Sequence, residues 1–261
     1  MTTEGFIIDL FCRVDAAMRD ARRHPQAKLY PSELATLALL AVLKGGSGRA
    51  FYRWLRRDYL PLFPALPKRT RLLRLLVAHQ DWAARFLAEP TLLGIVASHG
   101  VELRHPRRHG RTPGQIGKKG LSNHRWIAGG KLCAIVNQRG RIVAWECATA
   151  HVHDSTFHPL IARFAEQTVV LADGNFHRAA GDPPNMRVCT RGTWPQRILV
   201  ETVFSLLTRV CQLKRAAHRT WAAFQARLAF TVAVFNLLVD WAGLRTDEQG
   251  STHLTLAEFA L

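Results

Sequence analysis

The first third of the chain has apolar residues at the spacing of amphipathic helices. In YPSELATLALLAVLKGG, Pro31 stands where a first helical turn accepts proline, and Gly45 and Gly46 form a stop signal. The pattern continues through GRAFYRWLRRDYL and PKRTRLLRLLVAHQDWAARFL, which are separated by prolines. We therefore predict an all-helical N-terminal domain over residues 1–90.

From residue 91 the pattern changes to short apolar runs typical of strands. LLGIVA predicts one strand, RWIAGGKLCAIVN and RIVAWECATA predict two strands joined by a turn, and TVVLAD predicts a strand ending on Asp173. STFHPLIARF predicts a helix capped by Asp154 or Ser155, while RILVETVFSLLTRV and residues 218–243 predict two more helices. Between these runs, VELRHPRRHGRTPGQIGKKGLSNHR and GNFHRAAGDPPNMRVCTRGTWPQR are predicted loops. This order of elements predicts an α/β or α+β fold with a mixed sheet.

Basic residues outnumber acidic ones strongly enough to indicate a class of partner. The chain has 36 Lys and Arg against 19 Asp and Glu, a net charge of +17. Such a charge favours a polyanion, nucleic acid first, with a solvated basic surface as the alternative. The loop from Arg104 to Arg125 carries seven of these cations and no acid. The arginines of the N-terminal helices fit a DNA-facing surface or the solvent-exposed face of an amphipathic helix bundle equally well. They are Arg53, Arg56, Arg57, Arg69 and Arg71.

Cysteines, histidines and apolar runs indicate a reducing compartment and no membrane. The five cysteines are widely spaced and form no CxxC, which argues against a disulfide framework or a zinc site. We expect the histidines of HVHDSTFHP to make capping and structural hydrogen bonds rather than bind zinc. MTTEGFIIDLFCRVD carries acids and too short an apolar run for a signal peptide. LAFTVAVFNLLVDWAG is interrupted by Asn236 and Asp240, so we predict a buried helix and a cytoplasmic protein.

Two carboxylates stand where a metal-dependent site could form. Asp173 ends an apolar strand, where ligands of open α/β sheets collect, although capping of the next loop explains it equally well. Glu201 shares a helical stripe with Arg197, Ser205 and Thr208, and a solvent-facing ion pair with Arg197 is the alternative. The predicted buried face of that helix is Leu199, Val203, Leu206, Leu207 and Val210. Magnesium takes one or two carboxylates plus phosphate, and two ions can drive phosphodiester chemistry.

Long segments resemble the bacterial insertion-sequence transposases of the DDE superfamily. The segments are RTPGQIGKKGLSNHRWIAGGKLC, VVLADGNFHRAAGDPPN and RGTWPQRILVETVFSLLTRVCQLK, with FCRVDAAM, LYPSELATLALLAVLKG and AFYRWLRRDYLPLFPALP nearer the start. The likeness implies an α/β fold with an RNase H-like mixed sheet flanked by helices over residues 91–245. A helical DNA-binding domain over residues 1–90 would precede it, and a tail over residues 246–261 would follow.

The resemblance also assigns catalytic positions. Asp173 matches the second catalytic aspartate and Glu201 the catalytic glutamate, so both are implied metal ligands. In GIVASHGVEL, Ala97 stands where relatives end the first strand with the first catalytic Asp. Asp154 matches a position outside this triad. Removing the ligand that bridges two ions is expected to cripple their binding and the chemistry that depends on them.

The motif around the glutamate is only partly kept. The family often shows Y-x2-R-x3-E-x6-K. Here Trp194 stands in place of the tyrosine and Thr208 in place of the lysine, while Arg197 and Glu201 are retained. Lys214 or Arg209 is a candidate replacement for the lysine in gripping DNA.

The function implied is metal-dependent cleavage and strand transfer at insertion-sequence ends, impaired here by Ala97. The implied cofactor is Mg²⁺ or Mn²⁺, bound more weakly because of Ala97. The implied partner is double-stranded DNA, both terminal inverted repeats and target, and bringing two ends together suggests a homodimer. The alternative is a non-catalytic DNA-binding protein derived from a transposase. The predicted DNA-binding residues are Arg104, Arg107, Arg108, Arg111, Lys118, Lys119, Arg125, Arg197, Lys214 and Arg215.

Overall fold

Helices come first along the chain and a mixed α/β unit follows. The computed structural model describes residues 2–108, 110, 114–122, 125–190, 197–215, 218–243, 245–246, 252–253, 256 and 259. The α-helices in these ranges are α1 (Thr3–Ala17), α2 (Pro31–Lys44), α3 (Gly48–Asp58), α4 (Arg69–Ala78), α5 (His158–Ala162), α6 (Arg197–Arg209) and α7 (Trp221–Ala242). The strands are β1 (Leu93–Arg104), β2 (Lys118–Ser122), β3 (Arg125–Asn137), β4 (Ile142–Thr149), β5 (Val169–Ala172), β6 (Met186–Val188), β7 (Arg245–Thr246) and β8 (Thr252–His253).

Local signals explain where the first helices begin. The hydroxyls of Thr2 and Ser47 accept hydrogen bonds of 3.1 and 3.2 Å from the backbone three residues on, which caps α1 and α3. Helix α2 begins with Pro31, and the carboxylate of Glu33 accepts a 2.6 Å bond from the backbone N–H of Tyr30. These caps confirm the predicted helical start of the chain.

Six strands form one mixed sheet. Five of them follow the order β2-β3-β1-β5-β6, and the sixth, β4, pairs with the part of β3 that follows its pairing with β2. Strand β3 runs antiparallel to β1, β2 and β4, whereas β5 runs parallel to both β1 and β6. Antiparallel strands followed by parallel ones, with helices packed on the sheet, make an RNase H-like α/β fold. The predicted fold class is confirmed.

The sheet buries side chains on both faces. On β1, Ile95 packs into a large core that includes the N-terminal helices, α6 and α7, whereas Val96 packs into a smaller core with α5. On β3, Ala134 likewise packs into the large core and Ile135 into the smaller one. The N-terminal helices and the sheet therefore share one hydrophobic core.

Helix α7 ties the beginning of the chain to the sheet. Arg227 on α7 is half-buried, and its guanidinium donates to the carbonyls of Ala41 at 2.7 Å and Val42 at 3.1 Å, at the end of α2. It also donates to the carbonyl of Gln212 at 3.4 Å. Burial lowers the pKa of Arg227 to about 10, so the side chain stays charged at neutral pH. The guanidinium thus joins three segments of the chain.

An aromatic cluster closes the far end of α7. The rings of Phe6 and Trp241 stack with centroids 5.3 Å apart, and Phe259 packs 5.1 Å from Trp241. The core therefore takes side chains from α1 and from the last residues of the sequence. By length and composition α7 could cross a membrane, but 78% of its most apolar window is buried inside the protein. The predicted buried helix is confirmed.

Two strands lie inside segments predicted as loops, and one boundary is wrong. β1 continues to Arg104, and both β2 and β6 were predicted as loop. The exposed Lys118 and Lys119 suit an edge strand, but two successive lysines hide the alternation of apolar and polar residues that identifies a strand. β6 is too short to show such an alternation. The predicted cap is also wrong, because the Nδ1 of His153 accepts from the backbone N–H of Ser155 at 3.3 Å.

Candidate catalytic cleft

A cleft of about 1230 Å³ opens between β1, β5 and α6. Its lining includes Ala97, Asp173 and Glu201. Strands β1 and β5 pair in parallel, with Ile95 opposite Leu171. Continuing this register by two residues, which keeps the same face of each strand, places Ala97 opposite Asp173. The three sequence positions assigned to the catalytic triad are brought to one cleft.

Asp173 follows directly after β5 and serves two arrangements at once. Its carboxylate accepts a 3.0 Å hydrogen bond from the backbone N–H of Asn175, which caps the short turn Gly174–Phe176. The residue is half-buried and lines the cleft, so the capping bond fixes the carboxylate without removing it from the site. The two interpretations of Asp173 that the sequence left open are both compatible with this geometry.

Helix α6 presents its polar stripe to the cleft. Arg197, Glu201, Ser205 and Thr208 all line it, as does Arg209. The guanidinium Nε of Arg197 donates to Glu201 Oε1 at 2.8 Å, and both side chains are well exposed, at 38% and 62%. The stripe that could have been merely solvent-facing therefore faces the candidate site. Its carboxylate is paired rather than free.

The buried face of α6 is rotated from the predicted one. The buried residues within α6 are Val200, Val203, Phe204 and Leu207. Leu199 and Leu206 were predicted in that face but are only partly buried. Phe204 replaces them because its ring packs against His99 on β1.

A buried polar network lies beside Ala97, and sequence reasoning missed it. Asp154 Oδ1 accepts hydrogen bonds from Ser98 Oγ at 2.7 Å and from Lys131 Nζ at 2.8 Å. The Lys131 and Asp154 side chains are only 10% and 13% exposed, and Lys131 also donates to the carbonyl of Val152 at 2.8 Å. All lie in the cleft lining. The one sequence signal for this network was an acid shortly after the β4 strand, in HVHD.

His99 is held neutral between the sheet and α6. Its ring stacks on Phe204 with centroids 5.2 Å apart and an interplanar angle of 18°. Its Nε2 is buried and has no hydrogen-bond partner among the described residues. Burial, with a smaller contribution from Lys214, lowers the pKa of His99 to about 4. Stacking links β1, which carries Ala97, to the helix that carries Glu201.

We expect acid to destabilise the protein through His99. Its pKa is about 4 in the folded chain, below the ordinary value of 6.5, so protons bind the unfolded chain first. Stability should be complete above about pH 6.5 and fall as the pH drops toward 4, by about 2 kcal/mol after allowing for partial contact with solvent. The His99→Phe variant should lose this part of the pH dependence in urea unfolding measured across that range. His105→Gln, at an exposed position, is the control. Parallel pH profiles for the parent and His99→Phe would contradict the burial of Nε2.

Seven of the ten predicted DNA-binding residues fall into two groups. Arg197 and Lys214 line the cleft. Those on or near the β1–β2 and β2–β3 segments and after α6 are exposed outside the lining. They are Arg107, Lys118, Lys119, Arg125 and Arg215.

Arg125 and the three remaining predicted DNA contacts differ in setting. Arg125 pairs with Glu102 at 2.7 Å, and Arg104 is half-buried in β1. Arg111, the Arg108 side chain and Trp194 lie outside the described residues. Lys214 and Arg209, the candidates to replace the missing motif lysine, both line the cleft.

The donor set in the cleft does not fit a two-ion site. Within the described part of the chain, no group of three or more His, Cys, Asp or Glu side chains is placed to hold a metal ion. Asp173 and Glu201 supply carboxylate oxygens, which Mg²⁺ or Mn²⁺ prefers, but Glu201 is paired with Arg197. Asp154 is engaged with Ser98 and Lys131. Ala97 offers no oxygen from its side chain at the position opposite Asp173.

Comparison with known families agrees with this geometry. Residues 90–186 match the family described as transposase DDE domain. The matched segment runs from just before β1 into β6 and contains Ala97, Asp154 and Asp173, whereas α6 lies beyond it. No curated protein and no solved structure matches the chain. Proteins of this family act on DNA, generally with divalent metal ions. The fold, the cleft and this match together support a transposase DDE domain that includes residues 90–186.

Proposed function

We propose that this chain is an insertion-sequence transposase scaffold that holds double-stranded DNA but is impaired in cutting it. The observation that carries the proposal is that Ala97 lines the same cleft as Asp173 and Glu201, with Ala97 and Asp173 each two residues beyond the last paired residues, Ile95 and Leu171. Relatives have their first catalytic carboxylate at the position of Ala97. Without it, the cleft keeps its shape and its cations but lacks the ligand that would bridge two ions.

The remaining charged groups of the cleft suit a bound phosphate backbone. Lys131, Arg197, Arg209 and Lys214 line it together with three carboxylates. Two of these carboxylates, in Asp154 and Glu201, already have cationic partners in the protein. Cations arranged around a groove bind DNA mainly by releasing its counterions, whatever its sequence. Bound divalent ions would supply activation of the attacking oxygen, and Asp173 and Glu201 would be their ligands in a chain with a third carboxylate.

The second candidate is a non-catalytic DNA-binding protein that inhibits an active copy through mixed oligomers. Ala97 favours it, because an intact fold with an incomplete site can occupy DNA without turning it over. Under either proposal the chain acts in the cytoplasm, associated with the nucleoid, on terminal inverted repeats and target DNA. Synapsis of two ends suggests a homodimer. We also propose that residues 1–90 contribute DNA contacts, residues 91–245 form the catalytic unit and residues 246–261 form a tail.

We expect binding to duplex DNA to weaken steeply with salt. The slope of log affinity against log salt concentration should lie near −0.9 for each phosphate contacted. Neutralising Arg107, Arg108, Lys118 and Lys119 together should make the slope shallower by about 2 to 4 without unfolding the protein. Fluorescence anisotropy with a labelled duplex over a range of salt concentrations measures both quantities.

The matched control removes exposed cations elsewhere. Arg139 lies in the β3–β4 turn and Arg178 in the segment after β5, both exposed and outside the cleft lining. Replacing these two by Ala should change the slope less per charge than the four replacements do. A flat salt dependence of the parent would count against DNA binding by charge. An unchanged slope in the fourfold variant would move the contacts to the N-terminal helices.

A further inference from the structure

An exposed aromatic surface lies on the β2–β3 hairpin beside the cleft. Trp126 is 56% exposed and Leu121 is 54% exposed, and the two are cross-strand partners. The ammonium of Lys119 lies 4.9 Å from the centroid of the Trp126 ring. Lys119, Leu121 and Trp126 share one face of the hairpin by its register. We call these three residues the hairpin patch.

The hairpin patch is held firmly at the cleft. A Cβ on Gly120 would lie 2.0 Å from the carbonyl oxygen of Ala150, so β2 packs directly against the backbone that follows β4. Ser122 Oγ accepts a 3.1 Å bond from the backbone N–H of Gly100 on β1. Leu121 and Ser122 both belong to the cleft lining. Trp126 therefore stands on a paired strand rather than on a free loop, next to Leu121, which lines the cleft.

The aromatic ring and the cation of the hairpin patch indicate which kind of partner it binds. A large ring left half in water is unusual for a side chain that could bury much apolar area. An exposed aromatic face with a cation beside it suits a nucleobase and its phosphate, because every base has a face that can stack. No acid occurs among its three residues, and the nearby Glu102 is paired with Arg125. The charge and the ring together favour single-stranded or frayed DNA over an apolar protein surface.

We propose that the hairpin patch binds an unpaired DNA base by stacking it on Trp126 at the entrance of the cleft. The inference rests on the proposed function, since it takes the DNA bound in the cleft as its source of unpaired bases. This stacking adds a contact that a fully paired, blunt-ended duplex cannot make. The unaltered protein should therefore prefer a duplex with a single-stranded overhang to the same duplex with blunt ends.

The test compares those two DNA probes, with 2-aminopurine in the overhang. Binding of the full chain should quench the 2-aminopurine fluorescence, because stacking quenches this base. Trp126→Ala should abolish the quenching and lower affinity for the overhang probe roughly tenfold, within the range measured for one base stacked on an aromatic side chain. Its affinity for the blunt duplex should stay close to that of the parent. Trp126→Phe should keep most of the preference.

A matched control exists on the N-terminal helices. Tyr30 is 55% exposed and has the guanidinium of Arg23 at 4.5 Å from its ring, so it repeats the aromatic and cationic pair away from the cleft. Tyr30→Ala should leave the ratio of overhang to blunt affinity unchanged. Equal ratios for the parent and Trp126→Ala overturn the stacking site, and so does a change in sedimentation that makes Trp126 a contact between copies. Failure of the parent to bind either probe overturns the proposed function itself.

Discussion

Replacing Ala97 by Asp is expected to give the chain manganese-dependent nicking of supercoiled plasmid at least about a hundredfold above that of the unaltered protein. The new carboxylate would enter the cleft opposite Asp173, since Ala97 already belongs to the lining. Besides Asp154, which is engaged with Ser98 and Lys131, the cleft would then hold three carboxylates, at positions 97, 173 and 201, as a two-ion site needs at its centre. A loss of a few kcal/mol of transition-state stabilisation accounts for a rate difference of this size.

Two further variants separate metal binding from a general gain in charge or volume. Ala97→Asn has nearly the shape of Asp without its charge, and it should stay as inactive as the parent. Glu201→Gln added to Ala97→Asp should abolish the nicking. The interpretation of Ala97 is wrong if the unaltered chain nicks equally well and depends on Asp173 and Glu201. In that case Asp154 is the first residue to test as the third carboxylate, because it lies in the same cleft.

Replacing Arg227 by Met is expected to lower the free energy of unfolding by roughly 2 to 4 kcal/mol, since one carbonyl left without a donor costs about 1 to 3 kcal/mol and two further hydrogen bonds are lost. The carbonyl of Ala41 would lose the guanidinium, whereas those of Val42 and Gln212 would keep backbone bonds from Gly45 and Arg215. The apolar side chain also leaves part of the guanidinium volume unfilled. Urea unfolding followed by circular dichroism measures the change.

The control for Arg227 is an arginine of the same region that reaches water. Arg219 is exposed just before α7, and Arg219→Met should change stability by no more than about 0.5 kcal/mol. Equal unfolding midpoints for the parent and Arg227→Met would mean that water or other groups satisfy the carbonyls of α2. The joint between the N-terminal helices and α7 would then not depend on this side chain.

The parts of the fold that could be predicted are those with an uninterrupted apolar pattern. β3, β4 and α7 bury long runs, so their periodicity and length identify them. β2 could not be predicted, because Lys118 and Lys119 face water at a sheet edge and only register with β3 makes the segment a strand. The true buried face of α6 was equally inaccessible, since it depends on Phe204 meeting His99 from another element.

The candidate site divides in the same way between local and long-range information. Asp173 and Glu201 stand out locally, one after an apolar strand and one on a polar stripe, and the resemblance added the meaning of Ala97. The network of Ser98, Lys131 and Asp154 joins residues far apart in sequence, so no motif with a fixed spacing predicts it. Its buried ion pair exists only because the β1, β3 and β4 segments meet at one edge of the cleft.

The shared core also limits the ways in which a copy of this protein can lose activity and still persist. A truncated or frame-shifted chain that lacked either Phe6 or Phe259 would leave part of that core open to water. Unfolded chains of this kind are removed by cellular proteases, so they leave no product on the DNA. A substitution at one position in the cleft spares this core, so the altered chain is expected to stay folded. In this architecture, missense change in the cleft rather than deletion is therefore the route to a chain that loses an activity and still persists.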